Sequence, residues 1–157
     1  MKKNEKTNVM RILSQKKVPY EEVVYTELES TSGTDIAEYL GENPDTAFKT
    51  LVTTGKTGEH YVFVIPVAAE LNLKKAANAV GEKSIAMLPL KELLPLTGYV
   101  HGGCSPIGMK KVFKTVFHKT AGDYDSIYFS GGKVGYQVKL RLSDLQDVLK
   151  YSLCDVV

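Results

Sequence analysis

The sequence predicts an α+β fold, a single domain with a mixed, barrel-like β-sheet flanked by helices. Two observations carry this expectation. Strand-like and helix-like segments are interspersed without the regular alternation of a doubly wound parallel sheet. The strand-like segments are short and bounded by Gly-rich turns. Size adds a third: 157 residues correspond to about one domain, taken as residues 1–157, and suffice for one core without disulfides or metals.

The elements follow in order. Residues 8–16 carry Val9, Ile12 and Leu13 at helical spacing, with Pro19 as the stop. Residues 20–25 are strand-like. TSGTDIAEYLG sets polar cap candidates ahead of Ile36 and Leu40, with Gly41 as a terminator. AFKTLVTT and HYVFVIPV read as strands of a hairpin around GKTGE. NLKKAANAVG is a helix capped by Asn72 and stopped by Gly81. SIAML is a short strand, and PLKELLPL a short helix. YVHGGCSPIGMKK, rich in Gly and interrupted by Pro, is a loop. KTVFH and SIYFS are strands, SGGK turns into the strand GYQVKLRL, and SDLQDVLK reads as a capped terminal helix.

Composition narrows the function classes. Hydrophobic residues make up 43% and charged residues 24%, the balance of a globular protein. No apolar run approaches the roughly 20 residues of a membrane span. The start, MKKNEKTNVMRIL, has neither the apolar core nor the cleavage site of a signal peptide, so the reading is cytoplasmic. Cys104 and Cys154 are expected as free thiols. A net charge of +2 argues against a tight autonomous binder of long nucleic acid, though not against a protein that grips only the end of one. The paired lysines Lys2 with Lys3, Lys16 with Lys17, Lys74 with Lys75 and Lys110 with Lys111 read first as solvated faces.

Familiar catalytic patterns are missing. There is no G-x-S-x-G elbow. SGGKVG lacks the upstream Gly and the Ser or Thr after Lys133 that a P-loop needs. His101 and Cys104, with His118 farther on, lack the paired spacing of a zinc site. Cys104 reads as a small loop residue rather than a nucleophile, and His60 and His118 as strand or surface residues.

Two features stand out. Lys49 sits inside the apolar strand AFKTLV, on one face with Ala47 and Leu51. It either snorkels at a sheet edge or points into a pocket, and alternation alone favours the edge. The segment GGCSPIG is a constrained loop whose backbone can approach a ligand closely; a plain connector explains it equally well.

FKTLV at 48–52, IPVAAELNLKKAA at 65–77, GGCSPIG at 102–108 and SGGKVG at 130–135 resemble, in order and spacing, the signatures of the YbaK/EbsC-type deacylases. These are relatives of the editing domain of bacterial prolyl-tRNA synthetase. The resemblance covers almost the whole chain. It implies a partly closed mixed sheet with flanking helices, no metal and no organic cofactor, and hydrolysis of the ester joining a wrong amino acid to tRNA. The expected reaction is trans-editing of Cys-tRNA(Pro), with an Ala-tRNA(Pro) or broad-range deacylase, or a non-catalytic tRNA-end or protein-binding module, as alternatives.

Carried over by position, Lys49 matches the Lys of the family's K-[TS] strand, with Thr50 beside it. Gly102, Gly103, Cys104, Ser105 and Pro106 match the GxxxP loop. Tyr25 matches an aromatic position near the pocket, and Ser130 and Gly131 the wall supplied by the SGG turn. Two positions depart from the pattern: Ser32 stands before Gly33 where relatives often have Phe, and Gln137 where they often have an acid. Lys49, Gly102 and Gly103 are thus the expected catalytic groups, and the others the expected substrate-binding ones. Lys110 and Lys111 are candidate contacts for the tRNA backbone. The resemblance further implies attack by the substrate's own thiol, which needs no protein nucleophile. The modest charge points to a helper, prolyl-tRNA synthetase, that presents the tRNA.

Overall fold

The computed structural model describes residues 6–157; Lys2, Lys3 and most of the basic start lie outside the described residues. The fold is α+β, with four α-helices, two β-sheets and three short 3-10 turns among the described residues.

Helix α1, Asn8–Gln15, is capped by the Thr7 hydroxyl, which accepts from the Met10 N–H, and buries Val9, Met10 and Leu13. It stops before Pro19: Lys17 takes a left-handed φ of 59°, and the Val18 N–H closes the turn on the Leu13 carbonyl. Strand β1 is Glu21–Val24. Helix α2, Gly33–Leu40, is capped by Ser32 and ends on Gly41 with φ 69°. Strands β2, Phe48–Gly55, and β3, His60–Pro66, form the expected antiparallel hairpin. Helix α3, Leu73–Val80, starts at Asn72, whose Oδ1 accepts from the Lys75 N–H at 3.0 Å.

That cap supports a stability prediction. Asn72→Ala leaves the first-turn N–H groups to water and costs about 1 kcal/mol. Urea denaturation is expected to show a lowered midpoint with an unchanged slope.

Strand β4, Ile85–Met87, and helix α4, Leu90–Thr97, precede the GGCSPIG loop. Strands β5, Lys114–His118, β6, Ile127–Ser130, and β7, Tyr136–Leu140, follow it. The terminal helix expected at SDLQDVLK does not form. Residues Leu142–Leu145 make one 3-10 turn, and the chain then enters a further strand, β8, Tyr151–Cys154. Leu142, Leu145, Val148 and Leu149 mimic a helical stripe. Only Leu142 and Leu145, three apart, are fully buried, which one 3-10 turn achieves.

The strands form two sheets, in the orders β1-β7-β6 and β4-β2-β3-β5-β8. Strands β3, β5 and β8 run parallel and the other pairs antiparallel. A parallel bridge from Ala47 to Tyr128 ties the sheets together beside β2. Phe48, Val52, Val62, Val64 and Phe117 of the larger sheet pack with Ile127, Phe129 and Val138 of the smaller one and with α1. The opposite face, with Phe63, Ile65 and Val116, is covered by Ala76 and Ala77 of α3. Burial on both faces explains the unbroken apolar run of β3. No helix among the described residues is long and apolar enough to cross a membrane.

Candidate active site

Where the two sheets diverge, a cavity of about 160 Å³ opens. Strand β4 pairs with β2 only over Thr53, Thr54 and Gly55, so the Phe48–Leu51 stretch is held by β3 on one side alone. The Val52 carbonyl turns away from β3 to accept from the Leu88 N–H. By alternation the peptide groups of Thr50 turn the same way. Phe48, Lys49, Thr50 and Leu51 all line the cavity.

Alternation favoured a sheet edge for Lys49. The edge is local, and it opens onto the cavity. Lys49 is half-buried and is the one Lys, Arg, Asp or Glu side chain among the lining residues. Its ammonium forms no hydrogen bond or ion pair with any described residue. The Thr50 hydroxyl oxygen is likewise buried without a partner. A cation and a hydroxyl on adjacent residues are thus left for a ligand to satisfy.

The other walls come from distant segments. Tyr25 follows β1, Gly33 and Ile36 belong to α2, Gly102 and Cys104 to the glycine loop, and Ser130 and Gln137 to β6 and β7. The loop and the SGGKVG turn touch directly: a Cβ on Gly103 would lie 3.0 Å from the Val134 backbone nitrogen and 3.2 Å from the Lys133 carbonyl carbon. Gly102, with φ +86°, would meet the Thr31 methyl carbon at 2.9 Å. Glycine is favoured at Gly103 by tight contact with the turn, and required at Gly102 by contact and backbone conformation.

Of the residues expected at the site, Tyr25, Lys49, Thr50, Gly102, Cys104, Ser130 and Gln137 line this cavity; Gly103, Ser32, Ser105, Pro106 and Gly131 do not. Gly103 packs on the turn. Ser32 is spent as a helix cap, its hydroxyl accepting from Asp35 N–H and sharing a hydrogen bond with Thr34. Its neighbours Thr31 and Gly33 line the cavity instead. Ser105 is fully buried and accepts from Ile107 N–H. Pro106 lines a separate small cavity with Lys111. Gly131 donates its N–H to the Tyr136 carbonyl within the turn. Lys110 and Lys111 are exposed beyond the loop, and neither lines the cavity.

Sequence reasoning missed several lining residues. His101 contributes its imidazole, and Ile36, Val67 and Leu93 supply apolar wall. It also missed Glu42, just past α2, whose carboxyl oxygens are both buried. Burial pushes this carboxyl up to about 7, against the opposing pull of the Gln137 amide and the Lys139 ammonium. Burial also raises Tyr25, and Glu42 adds to that.

Cys104 is buried, and that burial pushes its thiol up to about 12. It is a poor nucleophile at neutral pH because the thiolate is the reactive form. Cys104→Ser is accordingly expected to leave any activity of this cavity within about twofold of wild type, as an initial-rate assay would read. His118 is buried far along β5, where its Nδ1 accepts from Val156 N–H, and His60 bonds to Thr54 beside Phe113. Both cysteines are free. Among the described residues, no group of three His, Cys, Asp or Glu side chains is placed to hold a metal. A larger open groove, about 530 Å³, lies along Tyr20, Lys139 and Arg141 and gathers none of the expected site residues.

The profile of the aminoacyl-tRNA editing domain matches residues 27–148. The chain belongs to the aminoacyl-tRNA editing domain family. EbsC of Enterococcus faecalis, a candidate Cys-tRNA(Pro)/Cys-tRNA(Cys) deacylase, is 48% identical over 140 residues, covering 88% of this chain and 85% of EbsC. The proline–tRNA ligase of Pelobacter propionicus is 36% identical over 77 residues, which are 49% of this chain and 13% of the ligase. Among solved structures, a candidate trans-editing enzyme for prolyl-tRNA synthetase superposes with a TM-score of 0.78 at 21% identity, covering 96% of this editing domain and 97% of that chain. The hypothetical protein APE2540 superposes with a TM-score of 0.85 at 20% identity, covering 94% and 97%. These structural likenesses bear out the fold expected from the sequence.

Proposed function

We propose that this editing domain is a trans-acting deacylase that clears cysteine from mischarged tRNA(Pro). One observation carries the reading. A small cavity combines a single unpaired cation, Lys49, with the backbone of a glycine loop, while its own thiol is buried and held protonated. At about 160 Å³ it is well below the roughly 300–1,000 Å³ of drug-sized sites, which favours a small aminoacyl group.

In this mechanism the substrate supplies the nucleophile. A cysteine thiol with a pKa near 8.5 is a few per cent thiolate at neutral pH. Its sulfur attacks the ester carbonyl carbon and forms a C–S bond. The C–O bond to the terminal ribose then breaks, and the ribose oxygen takes a proton. The products are tRNA with a free hydroxyl and a cyclic thiolactone. Confinement holds sulfur near carbonyl, an advantage of several kcal/mol. Loop N–H groups and the Lys49 ammonium stabilise the oxyanion or the departing oxygen.

The tRNA body lies outside the cavity, where exposed Lys110 and Lys111 offer backbone contacts. A net charge of +2 supports only weak intrinsic tRNA affinity. Prolyl-tRNA synthetase is the partner proposed to present the acceptor end, and the cytoplasm the compartment where that happens.

Initial rates on Cys-tRNA(Pro) and Ala-tRNA(Pro), measured side by side, test the reading. Cysteine is expected to be removed at least about tenfold faster, because alanine has no thiol to replace the lost proximity. Equal rates would point to an attacking water or ribose hydroxyl. No turnover of either would leave a tRNA-end binding module.

A further inference from the structure

Glu42 and Gln137 form a buried pair that the mechanism above does not use. Glu42 lies just past the end of α2, and Gln137 on β7 opposite Val23 and Ser130. Both carboxyl oxygens of Glu42 and Oε1 of Gln137 are buried without a hydrogen-bond partner. The Gln137 amide lies near enough to lower the Glu42 carboxyl against the push of burial, without a formed hydrogen bond to either oxygen. The pair thus holds three buried acceptor atoms, and its one donor group is the Gln137 NH₂. A buried acceptor left without a donor is destabilising. A proton on Glu42 supplies the missing donor.

Gln137 also lines the cavity, so the end of its amide that turns to Glu42 decides which end is left to the cavity. We propose that Glu42 is a positioning residue that sets the Gln137 amide: protonated, it donates to Oε1 and leaves NH₂ toward the cavity; ionised, it accepts from NH₂ and leaves Oε1 toward the cavity. The cavity wall then switches between donor and acceptor with pH. Glu42's raised carboxyl, at about 7, puts the switch in the neutral range. The ionisable groups that act on the pair are Lys139, two residues along β7, which favours the ionised form, and Tyr25 at the end of β1, which Glu42 pushes up. The significance for an aminoacyl α-amino group, whose N–H groups need an acceptor whether or not it is protonated, rests on the deacylase reading; the switch itself does not.

The test is an NMR titration of the ligand-free protein between pH 5.5 and 8.5. It follows the Gln137 side-chain amide, assigned by its loss in Gln137→Met, and the Glu42 carboxyl by ¹³C labelling. Both signals are expected to move together in the wild type, with a midpoint near 7. In Glu42→Gln, a nearly isosteric change that can donate to Oε1 and does not titrate, the Gln137 signal is expected to stay flat. A static Gln137 amide beside a titrating Glu42 would overturn the proposal. So would a Gln137 titration that persists in Glu42→Gln. With Cys-tRNA(Pro), Glu42→Gln is expected to match the wild type near pH 6 and to fall about fivefold behind at pH 8.5, the worth of one hydrogen bond of about 1 kcal/mol. If the wild type removes no amino acid at all, the deacylase reading fails while the titration still decides the switch.

Discussion

Replacing Lys49 by alanine is expected to lower deacylation of Cys-tRNA(Pro) by about 10²- to 10³-fold while leaving the fold intact, the usual cost of losing one preorganised charge at a developing oxyanion. The fold survives because the Lys49 side chain makes no hydrogen bond or ion pair with the described residues. Its backbone stays held by the β2–β3 register, opposite Ile65. Circular dichroism and a thermal midpoint check that half of the prediction. Lys49→Arg separates charge from shape: a guanidinium keeps the charge but changes its reach and donor geometry, so partial activity is expected. Full activity in Lys49→Ala would remove Lys49 from the reaction, and with it the observation on which the proposed function rests.

The second large effect is expected at Gly103. Its φ is ordinary, since it is not among the positive-φ glycines, so Gly103→Ala acts by contact alone. The new Cβ would sit 3.0 Å from the Val134 nitrogen and 3.2 Å from the Lys133 carbonyl carbon. Those are backbone atoms of the SGGKVG turn and cannot swing aside as a side chain can. The loop and the turn must give by a few tenths of an ångström; since a misplacement of about 1 Å at a site that works by positioning can cost about 100-fold, a loss of about several-fold to tenfold in rate is expected. Overpacking of this kind also destabilises by about 1–3 kcal/mol. Gly58→Ala is the control: φ is +91° but nothing lies within 4 Å of the added Cβ, so it costs backbone strain in the hairpin turn and leaves the rate unchanged. Comparable loss of activity in both variants would mean that stability, and not loop geometry, governs the effect.

Much of this was legible beforehand. The caps at Ser32 and Asn72 and the stops at Gly41 and Gly81 are local chemistry, and they delimit α2 and α3 as expected. The β2–β3 hairpin was readable from two apolar runs around a Gly-containing turn. Of the candidate site, Lys49 and the glycine loop stood out because a cation inside an apolar strand and a Gly-Gly-x-x-Pro segment are locally unusual. Ser32 lies outside the cavity lining although its neighbours Thr31 and Gly33 are in it, because the side chain facing the cavity depends on where the helix begins. Its hydroxyl is needed by Asp35 N–H, which turns it away.

The sequence by itself determined the short-range elements, because caps, turn glycines and apolar periodicity act between neighbours along the chain, and the family resemblance pointed to seven of the residues that line the cavity. The tertiary structure alone decided the rest. Residues 151–154 form a strand because β5 offers them an edge, from Thr115 opposite Tyr151 to His118 opposite Cys154, and their own pattern does not ask for it. Lys49 opens onto a cavity because β4 leaves β2 after three residue pairs. Glu42 carries a raised carboxyl because the fold buries its oxygens, against the opposing pull of Gln137, 95 positions away by numbering (137 − 42). Pairing edges and desolvation are set by what remote segments bring into contact, and that information is present in the chain only once it has folded.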